Sequence, residues 1–187
     1  PLSKIFIVSI TTIDFTNKDY HSKVNIAIKR IFNLEEQIMK IARKVLIEEF
    51  GSPENMKIVS VELPSPAAGE VQLRQTALGL NFIDIYQRKG VYPLQLPTGL
   101  GHEAAGVIEA VGAGVTDFKP GDRVAYMNAG LGAYADYRNV PADRLVHIPD
   151  EISDENAVAL LFKGITAQYL MRKKHEVKKG EIILVHA

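Results

Sequence analysis

Three short stretches hold most of the side chains that can do chemistry. The first is Gly101-His102-Glu103-Ala104-Ala105-Gly106, a His-Glu pair among small residues. The second runs from Asn81 through Asp84 and Tyr86 to Gly90 and Tyr92; the third is Lys163-Gly164-Ile165-Thr166. A histidine beside a carboxylate invites a metal reading, but a catalytic zinc needs three protein ligands and an open position, commonly with thiolates. The chain has no cysteine, so thiolate ligands, disulfides and a cysteine nucleophile are excluded. His102 is then expected to line a cleft or to be hydrogen-bonded, with Glu103 as its charge partner or as a structural acceptor. No metal ligand is assigned.

Local structure accounts for part of the second stretch. Asn81 can cap a short helix, Asp84 stands three residues on as in a capping box, and Gly90 can end the helix. Tyr92, an aromatic wall with a polar tip, suits a planar ring. In the third stretch Gly164 is expected to break a helix, leaving Lys163 solvated and Thr166 as the cap of the next helix. The Thr166 hydroxyl can serve as cap and contact at once.

The elements around these residues change in texture along the 187 residues. Between Ser22 and Val45, Val24, Ile28, Ile31, Leu34, Ile38, Ile41 and Val45 recur at spacings of three and four. This predicts an amphipathic helix, packed on something or engaging a partner. Short strands punctuated by Gly and Pro follow, over 44–47, 58–61, 71–78, 106–111, 123–127, 133–140 and 145–148. They read as a barrel-like β domain. Gly121-Asp122-Arg123 is a turn into a strand, and Gly101, Gly106, Gly112 and Gly114 are backbone requirements of a tightly wound sheet.

A helix capped by Ser153, with Asp154 and Glu155 in its first turn, should bury Ala157, Leu160 and Leu161. Ile182–Val185 reads as a fully buried parallel strand. Lys plus Arg and Asp plus Glu both number 22, so no charge field points to nucleic acid or an anionic membrane. No apolar run approaches the roughly 20 residues of a membrane helix. Neither a signal peptide nor a membrane partner is expected, and the expected compartment is the cytoplasm.

Taken together and in order, Gly79-Leu80-Asn81-Phe82-Ile83-Asp84-Ile85-Tyr86, Gly90-Val91-Tyr92-Pro93, Gly99 to Gly106, Lys119-Pro120-Gly121-Asp122-Arg123-Val124, Gly132-Ala133-Tyr134-Ala135 and Phe162 to Ala167 resemble the quinone oxidoreductases. These are the zeta-crystallin-like, zinc-free branch of the medium-chain dehydrogenases/reductases, and the likeness runs from about Lys44 to Ala187. The resemblance implies a mainly β GroES-like (alcohol dehydrogenase N-terminal-like) barrel with flanking helices, followed by the first strand of an α/β Rossmann domain. The expected boundaries are an extension over 1–41, the GroES-like catalytic domain over 42–152, and linker helices with that strand over 153–187.

The resemblance further implies hydride transfer from NADPH to a quinone by a homodimer, chemistry that belongs to the cofactor while the protein orients and polarises. The alternatives are an enoyl or alkenal double-bond reductase of the same superfamily and a non-catalytic GroES-like binding module. By resemblance Asn81, Asp84, Tyr86 and Tyr92 are catalytic, and Asn81, His102, Lys163 and Thr166 contact the cofactor. The glycine-rich turn that cradles the pyrophosphate is expected just after Ala187, so the NADPH site in this chain alone is expected to be incomplete and the chain alone inactive.

Overall fold

The computed structural model describes residues 39–185. The chain divides into two units, Pro1–Ile38 and Met39–Ala187; the expected helical stripe falls mostly in the first, outside the described residues. Its last members, Ile41 and Val45, lie instead on a strand, β1 (Lys40–Ile47). Their three-and-four spacing is overridden because β1 is the middle strand of a sheet and pairs on both sides.

Among the described residues, eight strands make two sheets. A three-stranded sheet has the order β2–β1–β4, with β2 at Lys57–Leu63 and β4 at Thr98–Gly99. A five-stranded sheet runs β7–β3–β5–β6–β8, from β3 (Glu70–Gly79), β5 (Glu103–Val111), β6 (Arg123–Met127), β7 (Tyr137–Pro141) and β8 (Leu145–His147). All pairings are antiparallel. The loop before β7 joins the sheets: Val45 N–H donates to the Tyr134 carbonyl at 2.8 Å and Asp136 N–H to the Arg43 carbonyl at 3.0 Å. The strand expected over 133–140 therefore starts only at Tyr137, because residues 133–136 cross from one sheet to the other.

The central strands alternate as a two-sided sheet must. Ala104 and Val124 join Val71, Leu73, Ile108, Tyr126 and Val140 inside the barrel. Their neighbours Ala105 and Ala125 face the other way and pack with Ile148 and Val158. Two alanines at that outer contact leave room for helix α2 (Asp154–Gln168), which lies against β3, β5 and β6.

The β3–β5 ladder slips twice. Glu109 is an extra residue on β5 and Thr76 an extra residue on β3, as in β-bulges. Neither is idle. Glu109 accepts from the Lys40 ammonium and from Arg74, while the Thr76 hydroxyl reaches the Asp154 carboxylate at the start of α2.

Helix α2 differs from expectation in three respects. Its cap is Ser153, whose hydroxyl accepts from Asn156 N–H, as the sequence implies. Its buried residue is Val158, whereas Leu160 is 63% exposed. Gly164 does not break it; a mid-helix glycine costs about 1 kcal/mol relative to alanine, too little to undo a capped, clamped helix. A single π-helical stretch, Tyr169–Lys174, continues it without a gap, so Thr166 caps nothing. Residues 182–185, expected as a buried parallel strand, are irregular and exposed, Ile182 at 99%. A parallel strand needs neighbours on each side, and no described strand pairs with them.

Candidate functional site

The site is built where the start of β5 meets both helices. Helix α1 (Phe82–Arg88) opens at Asn81, which closes a capping box with Asp84. The Asp84 carboxylate accepts from Asn81 N–H at 2.9 Å. This explains the short helix from its sequence: the box satisfies free N–H groups at its start, and Gly90 beyond its end takes a φ of +76°.

Asn81 does more than cap. Its amide donates at 2.8 Å to Oε1 of Glu103, a residue with no exposed surface. The same oxygen accepts from the Lys163 ammonium at 2.7 Å, and Oε2 accepts from Phe162 N–H at 3.1 Å. Thus one buried carboxylate ties the cap of α1 to the middle of α2. Glu103 is not the charge partner of His102. His102 sits in the bend just before β5, and its Nε2 instead meets Gln87 Oε1 at 3.0 Å, with its ring 6.5 Å from Phe162.

Asp84 is the second buried carboxylate, 2% exposed. Its Oδ2 also accepts from the Tyr134 hydroxyl at 2.7 Å, whereas Oδ1 is a buried atom without a partner. Burial, and then the hydrogen bond to Asp84, push the Tyr134 phenol above its ordinary range, so it remains a donor. The loop that carries Tyr134 is held from below. Gln75 donates to the Ala133 and Ala135 carbonyls at 3.0 and 2.6 Å, and Arg138 to those of Ala129, Gly130 and Leu131.

Tyr86 and Tyr92 stand edge to face with centroids 5.8 Å apart, and both are well exposed. Phe82 extends the row, 6.4 Å from Tyr86. Thr166 lies one turn beyond Lys163, its hydroxyl donating to the Phe162 carbonyl at 2.9 Å. The structure thus brings Asn81 and Lys163 together on Glu103, with Asp84 joined to them through Asn81. It sets Tyr86 and Tyr92 side by side, gives His102 a separate partner, and leaves Thr166 exposed on the same helix.

The sequence reading missed Tyr134 and Gln87 as parts of this network. Tyr134 lay within Gly132-Ala133-Tyr134-Ala135, but only the fold shows that its hydroxyl meets a carboxylate fifty residues earlier. As for a metal, among the described residues no three His, Cys, Asp or Glu side chains are placed to hold one.

Residues 67–150 match the alcohol dehydrogenase GroES-like domain, and the barrel is of that class. The match to full proteins is narrower. The quinone oxidoreductase of Pseudomonas aeruginosa is 47% identical over 148 residues, which is 79% of this chain and 46% of that protein. A 2-haloacrylate reductase of Burkholderia sp is 43% identical over 76% of this chain and 44% of its own length. Among solved structures, the Escherichia coli quinone oxidoreductase complexed with NADPH is 44% identical with a TM-score of 0.72, covering 74% of this chain and 43% of that one. Over most of its length the chain is similar to quinone oxidoreductases. It spans less than half the length of the curated relatives it matches.

Proposed function

We propose that this chain supplies the GroES-like catalytic domain of an NADPH-dependent oxidoreductase that delivers hydride to a quinone. The observation that carries the reading is the Glu103 junction beside the exposed Tyr86–Tyr92 pair, in a chain similar to a quinone oxidoreductase complexed with NADPH. NADPH, when bound, supplies the hydride, and the protein orients the partners.

The residues present fit the nicotinamide end of such a cofactor. Lys163 is half exposed, and its ammonium has two N–H groups beyond the one given to Glu103. The Thr166 hydroxyl keeps lone pairs able to accept from an amide NH2. Tyr86 and Tyr92 offer ring faces and edges to a planar acceptor. Asn81 and Asp84 hold the geometry from behind. His102, bonded to Gln87, acts as a wall of the same region. We extend the reading to a zinc-independent cytoplasmic homodimer on the family likeness. Near-stoichiometric zinc in a chelator-washed sample would overturn the zinc part, and sedimentation as a monomer the dimer.

A second reading is reduction of a conjugated double bond next to a carboxylate, favoured by the likeness to 2-haloacrylate reductase and by the Lys163 cation. NADPH oxidation followed with a benzoquinone and with a 2-haloacrylate, in the protein as its source makes it, separates the two. Quinone-dependent oxidation with one quinol formed per NADPH supports the first. Turnover of the acrylate alone replaces it with the second, and oxidation by neither acceptor overturns both.

A further inference from the structure

Glu103 occupies a seat made for it. Gly79 stands directly opposite in the β3–β5 ladder, and any Cβ there would lie 2.2 Å from the Glu103 side chain. Burying a carboxylate in this way is a poor means of gaining stability, since desolvation offsets much of the attraction to its partner. Two of its three donors, the Asn81 amide and Phe162 N–H, belong to helix frameworks. The third belongs to a side chain that remains 49% exposed.

That third donor, Lys163, lines a cleft of about 390 Å3 together with Thr76, Gly79, Leu80, Glu155 and Ala159. A free lysine moves a point charge on a flexible four-carbon stem. Held at 2.7 Å from a fully buried oxygen, its ammonium has one address at the cleft wall and two donors unspent on Glu103.

We propose that Glu103 is a positioning residue that fixes the Lys163 ammonium at this wall so that it donates to a carbonyl oxygen of a bound molecule. The role rests on the proposed NADPH-dependent reduction. The carbonyl is that of the nicotinamide carboxamide or of the conjugated acceptor, which offer the same chemistry.

The test uses Glu103→Gln, which keeps the shape and the Asn81 contact but removes the charge, together with Lys163→Met and the double variant. The first readout is acetylation of Lys163 by an N-hydroxysuccinimide ester, scored by peptide mass spectrometry against Lys44. Release from Glu103 should raise Lys163 labelling roughly tenfold, as expected for loss of one charge-assisted hydrogen bond. The second readout is kinetic. Each single variant should lower kcat/KM by roughly tenfold or more, and the double variant by no more than Lys163→Met alone.

A rise in KM for NADPH identifies the carboxamide as the carbonyl; a fall in kcat with that KM unchanged identifies the acceptor. Unchanged labelling overturns the proposal, as do fully additive kinetic losses. If the unaltered protein oxidises no NADPH with either acceptor, the functional reading fails and the carbonyl-donor role with it, while raised labelling would still show that Glu103 holds Lys163. If Glu103→Gln does not fold, Glu103→Asp keeps the charge and draws it back from Lys163, and the same outcomes apply.

Discussion

The barrel and helix α2 are held in opposite ways. Inside the barrel, Val71, Leu73, Ala104, Val124, Tyr126, Ala133 and Val140 have no exposed surface, and their attraction is non-directional. Helix α2 buries only Val158. Its attachment is polar at two points: Arg123 and Thr76 on Asp154 at its first turn, and Glu103 on Phe162 N–H and Lys163 beyond its middle. Apolar packing fixes a shape and tolerates small displacements. Hydrogen-bonded charges fix atoms at stated distances, and they occur here where Lys163 must be placed.

The largest effect expected from breaking this contrast is in the barrel. Leu73→Ala should lower the unfolding free energy by about 2–5 kcal/mol, the usual cost of a buried leucine, measured by urea denaturation. Gly79→Ala comes next. Its Cβ collides with Glu103, so a loss of about 1–3 kcal/mol from overpacking should come with faster amide exchange at Phe162.

Asp154→Asn is smaller, about 1 kcal/mol at neutral pH for a hydrogen bond to a charged group near the surface. It carries a pH signature. Partial burial raises the Asp154 carboxyl, but the Thr76 hydroxyl and the Arg123 guanidinium together outweigh it and hold the group below its ordinary range. A depressed folded pKa means stability that is complete above the unfolded value of about 3.9 and lost as pH falls through the lower folded one. The variant should therefore lose less stability between neutral pH and that acid range than the parent, as thermal melts across the series will show. Leu160→Ser should change stability by less than about 0.5 kcal/mol, because that side chain stays in solvent. A larger loss would mean that α2 is held by packing after all.

Much of the barrel could be read from the sequence because two-residue alternation and Gly/Pro punctuation are local signals; strand β6 falls where expected, over Arg123–Met127. The Asn81–Asp84 box was legible for the same reason. What could not be read depends on distant partners. Glu103 was linked to His102 because they are adjacent, yet its partners lie 22 residues before it and about 60 after it. Gly164 misled because punctuation is weighed without the clamps that override it. Residues 182–185 have a strand's composition, but composition cannot supply the neighbours a strand requires.

The two slips in the β3–β5 ladder resemble insertions that a gene can lose without a shift of frame. Glu109 is the extra residue on β5 and Thr76 the extra residue on β3, and neither has a partner across the ladder. Deleting Thr76 would join Gln75 to Ala77, which already face the neighbours Gly106 and Ala105. Deleting Glu109 would join Ala110 to Ile108, which already face Gln72 and Leu73. Gly79 faces Glu103 in either case, so the seat of Glu103 outlasts both losses. What goes with each residue is its attachment, to Lys40 for Glu109 and to Asp154 for Thr76.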